Sequence, residues 1–198
     1  ISAGIIPGGM EMMDRPAIHA AEDFVHAGYP RDVEALLIVE LDGPKAEVDE
    51  LISRVMAIAA ENACISAKAS ETEAERLLFW AGRKAAFPAV GRISPDYLCM
   101  DGTIPRKRLP DVLTGMNELS RQYGLRVANV FHAGDGNLHP LILYDANDPD
   151  ELDRAEWYRF VTRLMRNGFE RFMENCEPER PRLRDAPCAA AAREAHDQ

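Results

Sequence analysis

The stretch "FHAGDGNLHP", residues 131–140, decides the fold because it reads as the turn of a hairpin. Asp135-Gly136 is a strong two-residue hairpin signal, since both central positions of such a turn need positive φ. "LRVANVFH", 125–132, precedes it and "LHPLILYD", 138–145, follows it, each an apolar run of strand length. With the turn centred on Asp135-Gly136, His132 falls directly opposite His139 on one face of the hairpin. Their Cβ atoms then lie ~5 Å apart, close enough for both imidazoles to hold one cation. Two imidazoles suit Zn, Mn, Fe or Co without choosing among them, and catalytic zinc usually takes three protein ligands. The competing assignment is two unrelated histidines at the end of a hairpin.

Working outward, Pro16 behind Asp14 predicts a helix to about Ala27, with Asp14 near its cap and Gly28 past its end. "EALLIVELDG", 34–43, is a buried strand, and Pro44 opens a helix to about Asn62. A short strand around Ala63–Lys68 follows, then a helix near Thr72 to Phe87 that carries "WAGRKAAF". A strand through "DYLCMD", 96–101, precedes a helix from about Leu109 to Tyr123, and a last helix runs from about Pro149 to Glu174. The order predicts an α+β fold of ferredoxin-like type, a largely antiparallel sheet with helices packed on one face. From Cys176 the chain turns rich in Pro, Arg and Ala, so 1–175 reads as the domain and 176–198 as an irregular tail.

Composition narrows the function classes. The 198 residues are 46% hydrophobic, as in a globular domain with a core. A net charge of −10 argues against a nucleic-acid surface or an anionic membrane as partner. Basic residues cluster locally in "PRKRL", 105–109, which reads as a solvated loop. No apolar run approaches the ~20 residues of a membrane span, and no signal peptide is visible. Cys64, Cys99, Cys176 and Cys188 have no CxxC spacing, which points to free thiols or small core residues and to the cytoplasm. His19 and His26 read as surface or core-edge residues. The start at Ile1, in mid-domain sequence, suggests a piece of something longer.

"WAGRKAAFPAVGRISPDYLCMDGTIPRKRLP", 80–110, followed by "NVFHAGDGNLHPLILYD", 129–145, closely resembles the C-terminal domain of FAD-linked oxidases, flavoproteins of the vanillyl-alcohol-oxidase type. "IIPGGMEMMD", 5–14, and "FVHAGYPRDVEALLIVELDG", 24–43, fit the same family, so the likeness runs from about Ile1 to Glu156. The resemblance implies a substrate or cap domain that covers the isoalloxazine of an FAD held mainly by a separate FAD-binding domain. It implies oxidation of a small D-2-hydroxy acid, glycolate-like or D-lactate-like, by hydride transfer to the flavin. In such relatives the two histidines of this motif, here His132 and His139, bind a divalent metal, Zn or Mn. The arginine of WxxR, here Arg83, binds the substrate carboxylate, for which a guanidinium fork is the matching shape. Asn137 is expected near the flavin edge, with a plain turn residue as the other assignment. Lys84 faces elsewhere on the helix.

Two departures bear on this. No GEHG-type motif follows His139, so the third metal ligand and the catalytic base are unassigned, and the glycine-rich stretch for FAD phosphates is missing. The chain by itself is therefore expected to be colourless and inactive. An uncovered face through Val130, Leu141 and Leu143 is expected to drive self-association, and other oxidase subunits are expected partners. The function from a different class is a stand-alone, non-catalytic α+β module that holds a metal or a small acid.

Overall fold

The computed structural model describes residues 1–166. The expected tail and the expected end of the last helix lie outside the described residues. The helices are α1 (Arg15–Val25), α2 (Lys45–Glu61), α3 (Glu73–Val90), α4 (Leu109–Tyr123) and α5 (Pro149–Arg166). The strands are β1 (Gly9–Asp14), β2 (Ala35–Glu40), β3 (Asp96–Cys99), β4 (Gly102–Thr103), β5 (Arg126–His132), β6 (Asn137–Leu138) and β7 (Pro140–Tyr144). All seven join one sheet, and every pairing is antiparallel.

The α+β class holds, and β5 is the centre of the sheet. It pairs with β1 on one side, Met13 opposite Val130, and with β7 on the other, Ala128 opposite Leu141. β2 lies outside β1, and β3 outside β7. Strand alternation sorts the core. Met13, Ile38, Ala128, Val130, Leu141 and Leu143 pack beneath α1 and α3, against Ile18, Ala21, Ala86 and Val90. The alternate residues Val127, Phe131 and Ile142 meet Met116 and Leu119 of α4 and Tyr158 of α5. Each fully buried Ile, Val or Leu in these clusters contributes roughly 1.5–3 kcal/mol. Val130, Leu141 and Leu143 are thus buried under this chain's own helices, which corrects the expectation of an uncovered face.

Capping sets the helix ends. Asp14 Oδ1 accepts from Ala17 N at 3.2 Å with Pro16 in the first turn, and His26 closes α1 in the left-handed region. Thr72 Oγ1 accepts from Glu75 N at the start of α3. α4 has the expected bounds and ends at Gly124, whose φ is +62°. The strand expected at Ala63–Lys68 does not form. Those six residues are exposed, and Ala63 at φ +57° breaks the extended path. α2 forms as expected but buries no residue, and its first turn has no side-chain cap. No helix among the described residues is long and apolar enough to cross a membrane.

Candidate functional site

The hairpin forms with a longer loop than its Asp-Gly suggests. His132 pairs with Asn137, so 133–136 is a four-residue loop. Within that loop Gly136 takes positive φ, +79°, while Asp135 does not. The Asp135 carboxylate accepts from Asn137 N at 2.9 Å, and Gly136 N donates to the His132 carbonyl at 3.1 Å. Arg106, from the basic "PRKRL", clamps the loop from outside by donating to the Gly134 carbonyl at 2.7 Å. The register therefore differs from the expected one by two residues. A shift of two preserves the face that each side chain occupies, so His132 and His139 still share a face, as diagonal neighbours. Their ring centroids are 5.2 Å apart and the planes meet at 86°.

A row of residues crosses five strands at this level. Ile38 of β2 pairs with Glu11 of β1, Glu11 with His132, His132 with Asn137, and Asn137 with Thr103 of β4. The row holds a carboxylate, an imidazole, an amide and a hydroxyl side by side on the sheet face that carries α1 and α3. Glu11 Oε1 lies 2.7 Å from His132 Nδ1. Its other oxygen, Oε2, accepts from Arg83 Nε at 2.9 Å and forms an ion pair with Arg83 Nη2 at 2.8 Å. Arg83 and Glu11 are both buried. His139 sits one row away. The pairs Gly102–Leu138 and Cys99–Leu141 keep one register, so Asp101 falls opposite His139, and its Oδ1 is 3.6 Å from His139 Nδ1. Burial lowers the His139 pKa from its ordinary value, with Asp101 pulling the other way.

α3 lies across this row and presents one stripe to it. Trp80, Arg83 and Phe87 recur at helical spacing. The Trp80 ring covers Gly9, where an added Cβ would come within 3.2 Å of it. Arg83 reaches Glu11, and the Phe87 ring stands edge-on to His139 with centroids 6.3 Å apart. The spacing of WxxR thus follows from helix pitch laid along β1, over Gly9 and Glu11 on one face of that strand. Residues 1–195 match the family described as FAD linked oxidases, C-terminal domain. The chain belongs to that family.

Relatives agree with the assignment. The glycolate oxidase subunit GlcD of Escherichia coli K12 is 64% identical over 156 residues, 79% of this chain and 31% of that protein. GlcD of Bacillus subtilis 168 is 32% identical over 156 residues, covering 79% of this chain and 33% of the relative. A probable mitochondrial D-lactate dehydrogenase of Danio rerio is 29% identical over 172 residues, 85% of this chain and 33% of that one. The chain thus spans about a third of the length of these relatives. A solved 4-ethylphenol oxidase from Gulosibacter chungangensis, in complex with isoeugenol, shares the fold at a TM-score of 0.54 and 12% identity. That likeness covers 85% of this chain and 39% of the oxidase chain.

The FAD-linked oxidase domain brings together three of the residues picked out in the sequence, Arg83, His132 and His139, and places Asn137 in the same row. Asn137 Oδ1 is buried and has no hydrogen-bond partner among the described residues. Glu11 is the member that sequence reasoning missed, because the strand carrying it was not foreseen. The signal was present: a lone carboxylate between methionines, followed by the cap residue of the next helix.

Among the described residues no group of three or more His, Cys, Asp or Glu is arranged to hold a metal. The donor set supplies two positions. Each histidine turns Nδ1 towards a carboxylate, which leaves Nε2 as the nitrogen free to bind a ligand. Both Glu11 oxygens are occupied by His132 and Arg83, so Glu11 orients these side chains. His19 and His26 stand apart, His19 on the Arg31 carbonyl and His26 at the end of α1.

Proposed function

We propose that this FAD-linked oxidase domain is the substrate-binding half of an FAD-dependent D-2-hydroxy-acid dehydrogenase or oxidase acting on a glycolate-like or D-lactate-like acid. The observation that carries the proposal is the cross-strand row Glu11–His132–Asn137 with Arg83 clamped onto it. Arg83 binds the substrate carboxylate. Glu11 takes Nε–H and lies against Nη2, and the outward Nη1 and Nη2 hydrogens form a second edge for a bidentate acid.

His132 and His139 hold the hydroxyl end through Nε2, as two ligands of a divalent cation, Zn or Mn. Such a cation supplies Lewis-acid polarisation of the hydroxyl oxygen, and FAD, held mainly by an FAD-binding domain outside this chain, supplies the hydride acceptor. Asn137, with its orphaned oxygen, lies where the flavin edge and the substrate meet. Phe87 excludes water from one side of His139. The third cation ligand and the base come from outside the described residues. Two strand–helix–strand units support the ferredoxin-like grouping. Other oxidase subunits as partners and the cytoplasm belong to the same proposal.

The test uses the full-length flavoenzyme that carries this domain. Arg83→Gln should raise KM for the hydroxy acid roughly a hundredfold, and His132→Ala or His139→Ala should lower kcat by a similar factor. Calorimetry should show Zn or Mn affinity falling at least about tenfold in each histidine variant. Flavin reduction by hydroxy acid at the parent rate in all three variants would refute the assignment.

A further inference from the structure

We infer that Tyr29 is a positioning residue for Arg83, acting through hydrogen bonds of its hydroxyl to the backbone of α3. Phe79 and Arg83 stand four residues apart, about one turn of that helix. The Tyr29 hydroxyl bonds both, donating to the Phe79 carbonyl and accepting from Arg83 N at 3.1 Å. The turn in question delivers the Arg83 guanidinium to Glu11.

Three further observations show that this contact is built in. Gly82 gives the ring its place, since a Cβ there would lie 2.2 Å from the Tyr29 ring and 2.5 Å from its hydroxyl oxygen. Tyr29 itself is buried, and burial pushes its phenol up to about 12, so it remains a donor throughout the working pH range. Its backbone is tethered from α1. The Glu22 carboxylate accepts from Tyr29 N at 2.9 Å and from Gly28 N at 3.2 Å. A chain of hydrogen bonds thus runs from α1 through Tyr29 to the turn of α3 that holds Arg83, and on to Glu11 and His132.

This inference rests on the proposed role of Arg83 in binding the acid, and the experiment separates the two. In the full-length flavoenzyme, Tyr29→Phe keeps the ring and removes the hydroxyl that bonds Phe79 and Arg83. KM for the hydroxy acid should rise roughly tenfold while kcat stays within about threefold, the signature of lost ground-state binding. A purely structural tyrosine would lower the melting temperature and the yield of holoenzyme but leave KM of the folded fraction unchanged. That result, with Arg83→Gln still raising KM, overturns the inference and spares the role of Arg83. If Arg83→Gln leaves KM unmoved, both fall. Gly82→Ala, which displaces the same ring from the helix side, should reproduce the KM shift of Tyr29→Phe, and it replaces that variant if Tyr29→Phe does not fold.

Discussion

Asn129 Nδ2 donates to Asp14 Oδ2 at 2.7 Å, joining β5 to the end of β1 across 115 positions of sequence. The same carboxylate caps α1 through its other oxygen. Burial outweighs both hydrogen bonds and raises the Asp14 pKa from 3.8 to about 6. A carboxyl whose folded value lies above its unfolded value stabilises when protonated. The contribution is full below about pH 4 and is lost as pH rises through about 6. Asp14→Asn keeps an oxygen for the cap but does not titrate. The stability of the parent relative to this variant should therefore fall by at most about 3 kcal/mol between pH 4 and pH 7. Thermal melts of both proteins across that range check it, and parallel curves would contradict it.

Glu11 and Arg83 should behave as a unit. Leaving one buried partner without the other costs about 3 kcal/mol, whereas removing both leaves no charge stranded. Denaturant melts of Glu11→Leu, Arg83→Leu and the double variant should give a double loss well short of the sum, with a coupling of about 2 kcal/mol. Additive losses would show that the ion pair at 2.8 Å contributes little.

Gly136 is constrained twice, by a φ of +79° and by the Ile104 carbonyl, which would lie 2.3 Å from an added Cβ. Gly136→Ala should destabilise the domain by at least about 2 kcal/mol. The same change pushes the loop off Ile104, so it should weaken the proposed cation binding by the two histidines beyond its effect on stability. Unchanged melting together with unchanged Zn or Mn affinity would count against this account.

Asn137 makes a prediction of opposite sign for stability and function. An orphaned buried oxygen costs the unliganded domain about 1–3 kcal/mol. Asn137→Leu, similar in shape, should leave the melting temperature equal or higher while weakening hydroxy-acid binding. A large fall in melting temperature would mean that the oxygen is satisfied in the resting protein.

Much of this fold was legible where local chemistry and tertiary demand agree. α1 follows from Asp14 and Pro16, α4 from its start at Leu109 to Gly124, and β5 and β7 from their apolar runs. β1 was not legible, because Glu11 reads as a surface residue until Arg83 is placed above it from 72 positions away. Arg83 itself reads as a solvent-facing helix residue for the same reason. The loop at 133–136 misled because Asp-Gly favours a two-residue turn locally, while the Asp135 carboxylate bonded to Asn137 N and Arg106 bonded to the Gly134 carbonyl hold a four-residue loop. The pairing of the two imidazoles survived that error, since the slip was even.

The shared face of the histidines has a consequence for how such sites can change over time. His132 inherits its orientation from Val130, two residues before it on the same strand, and His139 from Leu141, two residues after it. Neither depends on the number of residues between the histidines. The interval of seven is a free length, whereas the two short intervals to the buried neighbours are fixed. Descendants of this domain could lengthen the tip of the hairpin and keep the pair, but a single inserted residue between His139 and Leu141 would turn that imidazole towards α4.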